Sequence, residues 1–141
     1  MIHSLWAYVV LAVLIIAVIN AFIGLSKKKN FEAKDLRISL FAVIATHIQL
    51  IIGFIAYYLS SFYSIMRDVG MGEVMKNGEL RKLLVEHPLT IIIAIILITI
   101  GFSKHKKKTT SASKFKTIAV YYTIGLVLIL AVIPWNLWFS N

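Results

Sequence analysis

The stretch Leu5–Leu25, which reads LWAYVVLAVLIIAVINAFIGL, decides the class of fold to which this chain belongs. It holds no charged residue, and its one amide side chain is Asn20. An α-helix rises about 1.5 Å per residue, so about 20 apolar residues cross the hydrocarbon core of a bilayer, which is roughly 30 Å thick. No lysine or arginine precedes Leu5, as the basic start of a cleaved signal peptide would require. The stretch is therefore predicted to be a retained membrane-spanning helix.

Three further apolar runs follow, at Ile38–Tyr58, Leu89–Phe102 and Ile118 to about Trp138. The middle one is short and rich in isoleucine, but an open strand in lipid would leave its backbone unpaired, so a helix is favoured. Hydrophobic residues make up 60% of the chain and charged ones only 15%, too few for the surface of a soluble domain. We predict an all-α protein, an antiparallel four-helix transmembrane bundle that forms a single integral membrane domain over residues 1–141. Its helices are expected at about 3–25, 37–60, 87–103 and 116–138.

The distribution of charge between the runs predicts the orientation of the bundle. The first and third connecting segments hold eleven lysines and arginines against two acids, which accounts for the whole net charge of +9. The loop 59–88 carries four charges of each sign. By the positive-inside rule we expect a multi-pass protein of the bacterial inner membrane with both termini outside, and with Trp135 and Trp138 at the outer interface. The lysine runs are then explained by topology and by anionic lipid headgroups, and no nucleic-acid partner is expected.

The outer loop is predicted to contain a short amphipathic helix. The pair Asn77-Gly78 is typical of a turn, and three leucines fall on one side of a helix over Glu79–Glu86. Proline suits the first turn of a helix because its missing N–H would be unpaired there anyway. We therefore expect the short helix to lie against the outer interface and to end at His87-Pro88, where the third spanning helix begins.

Familiar catalytic patterns are absent from the sequence. Cysteine does not occur, which excludes a disulfide framework, a thiolate metal site and a cysteine nucleophile. There is no HExxH motif, no phosphate-binding glycine loop and no Ser-His-Asp order. Acidic residues are confined to the loops, which disfavours ion-coupled transport by buried carboxylates. The remaining candidates are polar side chains within the apolar runs, which are costly in hydrocarbon and tend to mark function.

Two histidines form the best candidate pair. His3 and His87 begin the first and third helices, so both are expected near the outer face at one depth. Two imidazoles at one depth on facing helices can bind a metal or hold a haem from both sides. A haem, a non-haem metal and two interfacial histidines that face water all stay open. The small residues below His87 either leave room for a flat cofactor or pack against another helix. That face consists of Thr90, Ala94, Leu97 and Gly101, all of them small except Leu97.

A third histidine lies near the middle of the second helix. His47 is expected about 13 Å deep at about 1.5 Å per residue. A buried imidazole needs a partner, so it either bonds to another helix or serves as a haem ligand, a quinone partner or a proton relay. Gln49 lies on a different face, together with Thr46 and Gly53, because two residues are about 200° apart on a helix. His105 lies within a lysine run and is expected only to extend the basic patch.

Several of these stretches together resemble a known group of proteins. They are His3-Ser4, Thr46–Gly53, Glu86–Thr90, Ile95–Lys108 and Ile133–Trp135. The chain is similar, over nearly its whole length, to small four-helix bacterial membrane proteins that are commonly labelled cytochrome b. The resemblance implies a four-helix bundle and haem b, with the iron held by some of His3, His47 and His87.

The leading functional expectation is a small membrane-embedded b-type haem protein with a role in electron transfer, with quinone as a candidate partner. The alternative is a non-catalytic accessory or assembly subunit of a larger membrane complex. Small size, absent catalytic carboxylates and long apolar faces favour that alternative. A transporter or channel protomer is a third hypothesis, for which only the second helix offers part of a polar stripe. The expected partners are the bilayer, quinone, and a larger complex or further copies of the chain.

Overall fold

The computed structural model describes residues 2–135, and every regular element within that range is helical. The elements in chain order are α1 (Ile2–Ser26), α2 (Ala33–Leu59), α3 (Ser61–Val69), α4 (Met71–Lys76), α5 (Gly78–Arg81), a π-helical turn (Lys82–Glu86), α6 (His87–Lys106) and α7 (Ser111–Val132). The four long helices α1, α2, α6 and α7 form the bundle. The prediction of an all-α four-helix bundle is confirmed.

Successive long helices run in opposite directions, so the bundle has two chemically different ends. We call one the histidine end, where Ile2, Leu59, His87 and Val132 lie, and the other the lysine end, where the opposite termini of these helices lie. Within residues 2–135, four segments are long and apolar enough to cross a membrane: Ile2–Ser26, Ala33–Leu59, Gly78–Lys106 and Ser111–Val132. This is the architecture of a multi-pass membrane protein.

Helices α2 and α7 both begin earlier than predicted, because polar residues cap their first turns. The Asp35 carboxylate accepts a hydrogen bond from the Glu32 backbone N–H at 2.9 Å, so α2 begins at Ala33 rather than near 37. The second carboxylate oxygen accepts from Asn20 Nδ2 at 2.9 Å, which gives the amide within α1 its partner. The Thr110 hydroxyl accepts from a backbone N–H in the same way, so α7 begins at Ser111 rather than near 116.

The end of α7 also differs from the prediction. The helix ends at Val132, and Ile133 has an extended backbone with ψ 132°. A residue that precedes a proline is pushed out of the helical region by the proline ring, and Pro134 follows here. Trp135 lies within the described residues and is partly exposed. The rest of the predicted helix, residues 136–138 with Trp138, lies outside them.

Helix α6 begins at His87, as predicted, but it is not separated from the short helix before it. Helix α5, the π-helical turn and α6 form one continuous helical segment, Gly78–Lys106. The amphipathic helix α3 was not expected. Its exposed apolar side chains Phe62, Ile65 and Val69 follow an i, i+3, i+7 spacing, which is the sequence signal that could have revealed it.

Glycines bring α6 and α7 into close contact. A Cβ atom added at Gly101 would lie 2.4 Å from Tyr121 Cβ, and one added at Gly125 would lie 2.7 Å from Ile98 Cγ1. Ala94 of the predicted small-residue face is fully buried and its carbonyl borders Gly125. Of the two alternatives left open for that face, helix packing is the one observed.

Candidate cofactor site at the histidine end

A cavity of about 680 Å³ lies at the histidine end among α1, α2 and α6, and side chains of α3 and α4 border it. This volume is in the usual range of ligand pockets, about 300–1,000 Å³. Its walls are mainly aliphatic and aromatic, and no lysine, arginine, aspartate or glutamate within residues 2–135 lines it. The polar side chains that line it are His3, Ser4, Thr46, Gln49, Tyr57, Tyr58, Ser60, Tyr63 and His87.

The structure brings His3 and His87 together in this cavity. Their ring centroids are 6.3 Å apart and their planes are nearly perpendicular, at 83°. Two imidazoles that bind one metal ion from opposite sides, each through a nitrogen about 2 Å from the metal, have ring centres about 6 Å apart, since the nitrogen lies about 1 Å from its ring centre. The separation of the two rings therefore fits a shared metal ion.

The backbone of α7 determines which nitrogen of His87 is available. Nδ1 of His87 lies 2.9 Å from the carbonyl oxygen of Val132, the last residue of α7. A carbonyl only accepts hydrogen bonds, so Nδ1 carries the proton and Nε2 has the free lone pair. Metal-binding histidines usually donate their other ring N–H to a backbone carbonyl or a carboxylate in this way. In the neutral imidazole, Nε2 of His87 is thus the nitrogen left for a ligand.

A tyrosine compensates for the proline that follows His87. In an α-helix the N–H of residue 88 would donate to the Leu84 carbonyl, but Pro88 has no N–H. The Tyr57 hydroxyl donates to that carbonyl instead, at 2.8 Å. The π-helical turn lies immediately before His87, and such turns are frequent at functional sites. Tyr57 therefore supports the helix from which His87 projects.

The ring of His3 is less well supported by hydrogen bonds than the ring of His87. A Cβ atom added at Gly53 would lie 3.4 Å from His3 Cε1, so the ring packs closely over that glycine. Gln49 Nε2 donates to the His3 carbonyl at 2.9 Å. Two buried atoms, His3 Nδ1 and Gln49 Oε1, form no hydrogen bond within the described part of the chain. Buried polar atoms without partners are rare in folded proteins, so this pair requires an explanation.

The third predicted ligand lies elsewhere. His47 is exposed on the outer side of α2 and does not line the cavity. Its Nδ1 contacts the Val43 carbonyl of its own helix at 2.7 Å. The expectation that His47 bonds to another helix is therefore wrong, and a single iron could not be shared between His47 and the His3–His87 pair.

His105 was expected to extend the exposed basic patch, and this prediction is wrong. Its side chain is 1% exposed, and its ring packs against Phe31 and Phe102 at centroid distances of 5.3 and 4.8 Å. Helix α6 continues to Lys106, which carries His105 onto the inward face shared with Ile98 and Gly101. His105 is thus part of the packing at the lysine end.

The sequence did not assign Gln49 or Tyr57 a role in the site. The face that holds Gln49, Thr46 and Gly53 was predicted correctly, and all three line the cavity. The contact of Gln49 with His3 depends on the distance between two helices, which no local pattern contains. The role of Tyr57 could have been inferred from Pro88. A proline inside a helix has no N–H, so the carbonyl four residues earlier needs another donor.

Comparisons with protein-family models, with curated proteins and with solved structures return no match for this chain. The resemblance to small cytochrome b-like proteins therefore stays a prediction. The chemistry of the cavity has to follow from the residues that surround it.

Proposed function

We propose that this protein is a small b-type haem protein of the membrane, in which His3 and His87 hold haem b within the cavity at the histidine end. The observation that carries the proposal is the pair of imidazoles 6.3 Å apart in a cavity of about 680 Å³. The proton of His87 is held by the Val132 carbonyl, so that Nε2 is free to bind iron. His47 is not part of this site because it lies outside the cavity.

The protein contributes position and burial to the chemistry. Haem b bound by two histidines would supply one-electron transfer at its iron. Apolar side chains of α6, Ile91, Ile92 and Ile95, line the cavity on the same helix as His87 and form an apolar wall beside it. A dry apolar shell and the hydrogen bonds of the axial histidines are the means by which a protein tunes the potential of a haem.

The electron partner that fits this site is a lipid-soluble quinone. The cavity reaches the aromatic side chains Phe54, Tyr58 and Tyr63, and the rings of Tyr58 and Tyr63 are 5.0 Å apart. Tyr58 is 66% exposed, so this side of the cavity is accessible from outside the bundle. By the positive-inside rule the lysine end lies in the cytoplasm of a bacterial inner membrane, which puts both termini and the haem site near the outer face.

The decisive test is an absorption spectrum of the detergent-purified protein, oxidised and dithionite-reduced, with haem quantified as its pyridine complex. We expect a sharp reduced α-band and about one haem per chain. Alanine at His3 or at His87 should remove most of the haem, whereas H47A should retain it. A featureless spectrum after expression with added haem would overturn the proposal.

A second candidate function is that of a non-catalytic accessory or assembly subunit. The observation that favours it is His47, whose exposed ring lies halfway along α2 on the side that faces lipid. Ionisable residues in membrane spans usually face protein or a water-filled cavity, so a partner helix would be expected there. Under this hypothesis H47L should release a partner that co-purifies in mild detergent, and a wild-type protein that purifies as a monomer would contradict it.

A further inference from the structure

Two buried atoms at the site lack hydrogen bonds and are complementary to each other. The side chains of His3 and Gln49 interact, but neither His3 Nδ1 nor Gln49 Oε1 has a partner at full hydrogen-bond geometry in the described part of the chain. One atom of an amide side chain is an acceptor, and an imidazole nitrogen can be a donor. The two atoms can therefore satisfy each other after a small change in the position of the His3 ring.

The orientation of the Gln49 amide follows from its other bond. The atom 2.9 Å from the His3 carbonyl oxygen must be the nitrogen, because a carbonyl accepts and only the NH₂ group can donate to it. The remaining amide atom is then Oε1, an acceptor. The same side chain thus anchors the backbone of His3 and offers an acceptor to its ring.

We propose that Gln49 is a positioning residue for His3, and that its Oε1 accepts the His3 Nδ1–H when the cavity is occupied. This inference rests on the proposed haem function. The bond would leave Nε2 of His3 for the iron, as the Val132 carbonyl does for His87. The two axial histidines would then have matching supports, a side-chain amide on α2 and a backbone carbonyl on α7. His3, near the start of α1, needs such a support more than His87, which lies inside a continuous helical segment.

The expected consequence is electronic as well as structural. A hydrogen bond from a ligating histidine to an acceptor makes that histidine more basic, and loss of such outer partners typically weakens metal binding about 10- to 100-fold. A more basic ligand favours the oxidised iron. Removal of the acceptor should therefore shift the midpoint potential to more positive values, and a stronger acceptor should shift it to more negative values.

Three variants test the inference through haem affinity and midpoint potential. Q49L removes both bonds at similar volume, and we expect about 10- to 100-fold weaker haem binding and a more positive potential. Q49E loses the donor to the His3 carbonyl, as Q49L does, but keeps an acceptor for the His3 ring and makes it stronger, so we expect a more negative potential than in the wild type. T99V is the matched control, because Thr99 bonds only to the Ile95 carbonyl of its own helix and does not line the cavity. It should change neither quantity.

The outcomes separate this inference from the proposed function. Opposite shifts of potential in Q49L and Q49E support the positioning role, because a purely structural role gives no reason for opposite signs. Unchanged potentials, or shifts of the same sign, overturn it while leaving the haem function intact. If Q49L does not fold, the sign of the shift in Q49E decides. A wild-type protein that binds no haem would overturn the proposed function, and this inference with it.

Discussion

Glycines face ring side chains at both ends of the bundle, but they are closely packed at the lysine end and border a cavity at the histidine end. At the lysine end the interior is filled, with Phe115 packed against Gly24 and Tyr121 packed against Gly101. At the histidine end Gly53 faces the His3 ring at ordinary contact distance and lines a cavity instead. Close packing brings helices together and stabilises a membrane bundle, whereas an open interior provides room for a ligand. The lysine end is therefore the closely packed end of the bundle, and the histidine end holds the cavity that is the candidate site.

Polar groups follow the same division. At the lysine end Asp35 has partners on both carboxylate oxygens, and the Tyr122 hydroxyl donates to the Ser39 carbonyl at 2.8 Å. At the histidine end His3 Nδ1 and Gln49 Oε1 are buried and unpaired within residues 2–135. Satisfied buried groups stabilise a fold, and unsatisfied ones in a cavity indicate a site prepared for something else.

The largest expected effect is the loss of cofactor in H87A. Removal of the imidazole leaves one axial ligand, so we expect nearly all haem to be lost while the fold persists, because the packed lysine end is unchanged. The measurement is the haem-to-protein ratio of the purified variant. H47A is the control, since His47 lies outside the cavity, and equal haem loss in both variants would contradict the division between the ends.

The next-largest effect is on thermal stability and compares an alanine at the packed Gly101 with one at Gly53 beside the cavity. G101A places a methyl group 2.4 Å from Tyr121 Cβ, which cannot move without shifting α7. Overpacking of this type costs roughly 2–3 kcal/mol. G53A meets only the His3 ring, with Cε1 at 3.4 Å and Nδ1 at 3.8 Å, and should be neutral or slightly stabilising, since alanine is the better helix former. Thermal denaturation in detergent compares the two, and similar melting temperatures would argue against the contrast.

A smaller effect is expected from Y57F at the histidine end. The Leu84 carbonyl would lose the donor that stands in for the missing N–H of Pro88, and an unpaired buried carbonyl costs about 1–3 kcal/mol. Denaturation of the haem-free protein measures the loss. Y58F is the matched control, because that side chain is 66% exposed. If Y58F were as destabilising as Y57F, the hydrogen bond to Leu84 would not be the cause.

The smallest effect is expected from Y122F at the lysine end. Tyr122 is fully buried and bonds to the Ser39 carbonyl, but that carbonyl lies inside α2 and keeps its helical donor. Only the added bond is lost, so we expect about 1 kcal/mol. Denaturation of the haem-free protein measures this loss of stability as well. A larger loss in Y122F than in Y57F would show that the Leu84 carbonyl is not the more sensitive position.

The sequence predicted the class of fold well and the connections poorly. Four apolar runs, with lysines at alternate connections, are a strong signal because lipid permits few ways of pairing a backbone. The region between α2 and α6 was harder, since short helices depend on local caps and on packing rather than on a long period. Pro88 was correctly interpreted as part of the first turn of α6, but the π-helical turn that joins α6 to the preceding helix, with Tyr57 as donor to the Leu84 carbonyl, was not predicted.

For individual side chains, the sequence predicted only the depth along a helix and which residues share a face of that helix. Depth along the chain placed His3 and His87 at one end, and the face of α2 that holds Gln49 was assigned correctly. Which face of each helix meets the others was not available from the sequence, because the apolar residues surround these helices almost evenly. His47 and His105 illustrate this limit: the midspan histidine faces outward, and the one in the lysine run is buried.

The sequence by itself determined that this is an all-helical protein with four spans, because the need to pair every backbone group in lipid leaves no other arrangement for such runs. Tertiary structure decided where the site is. The contacts of Val132 with His87 and of Gln49 with His3 join residues far apart in the chain. These contacts depend on how far the helices separate at the histidine end, a distance set by packing between helices and not by any local pattern.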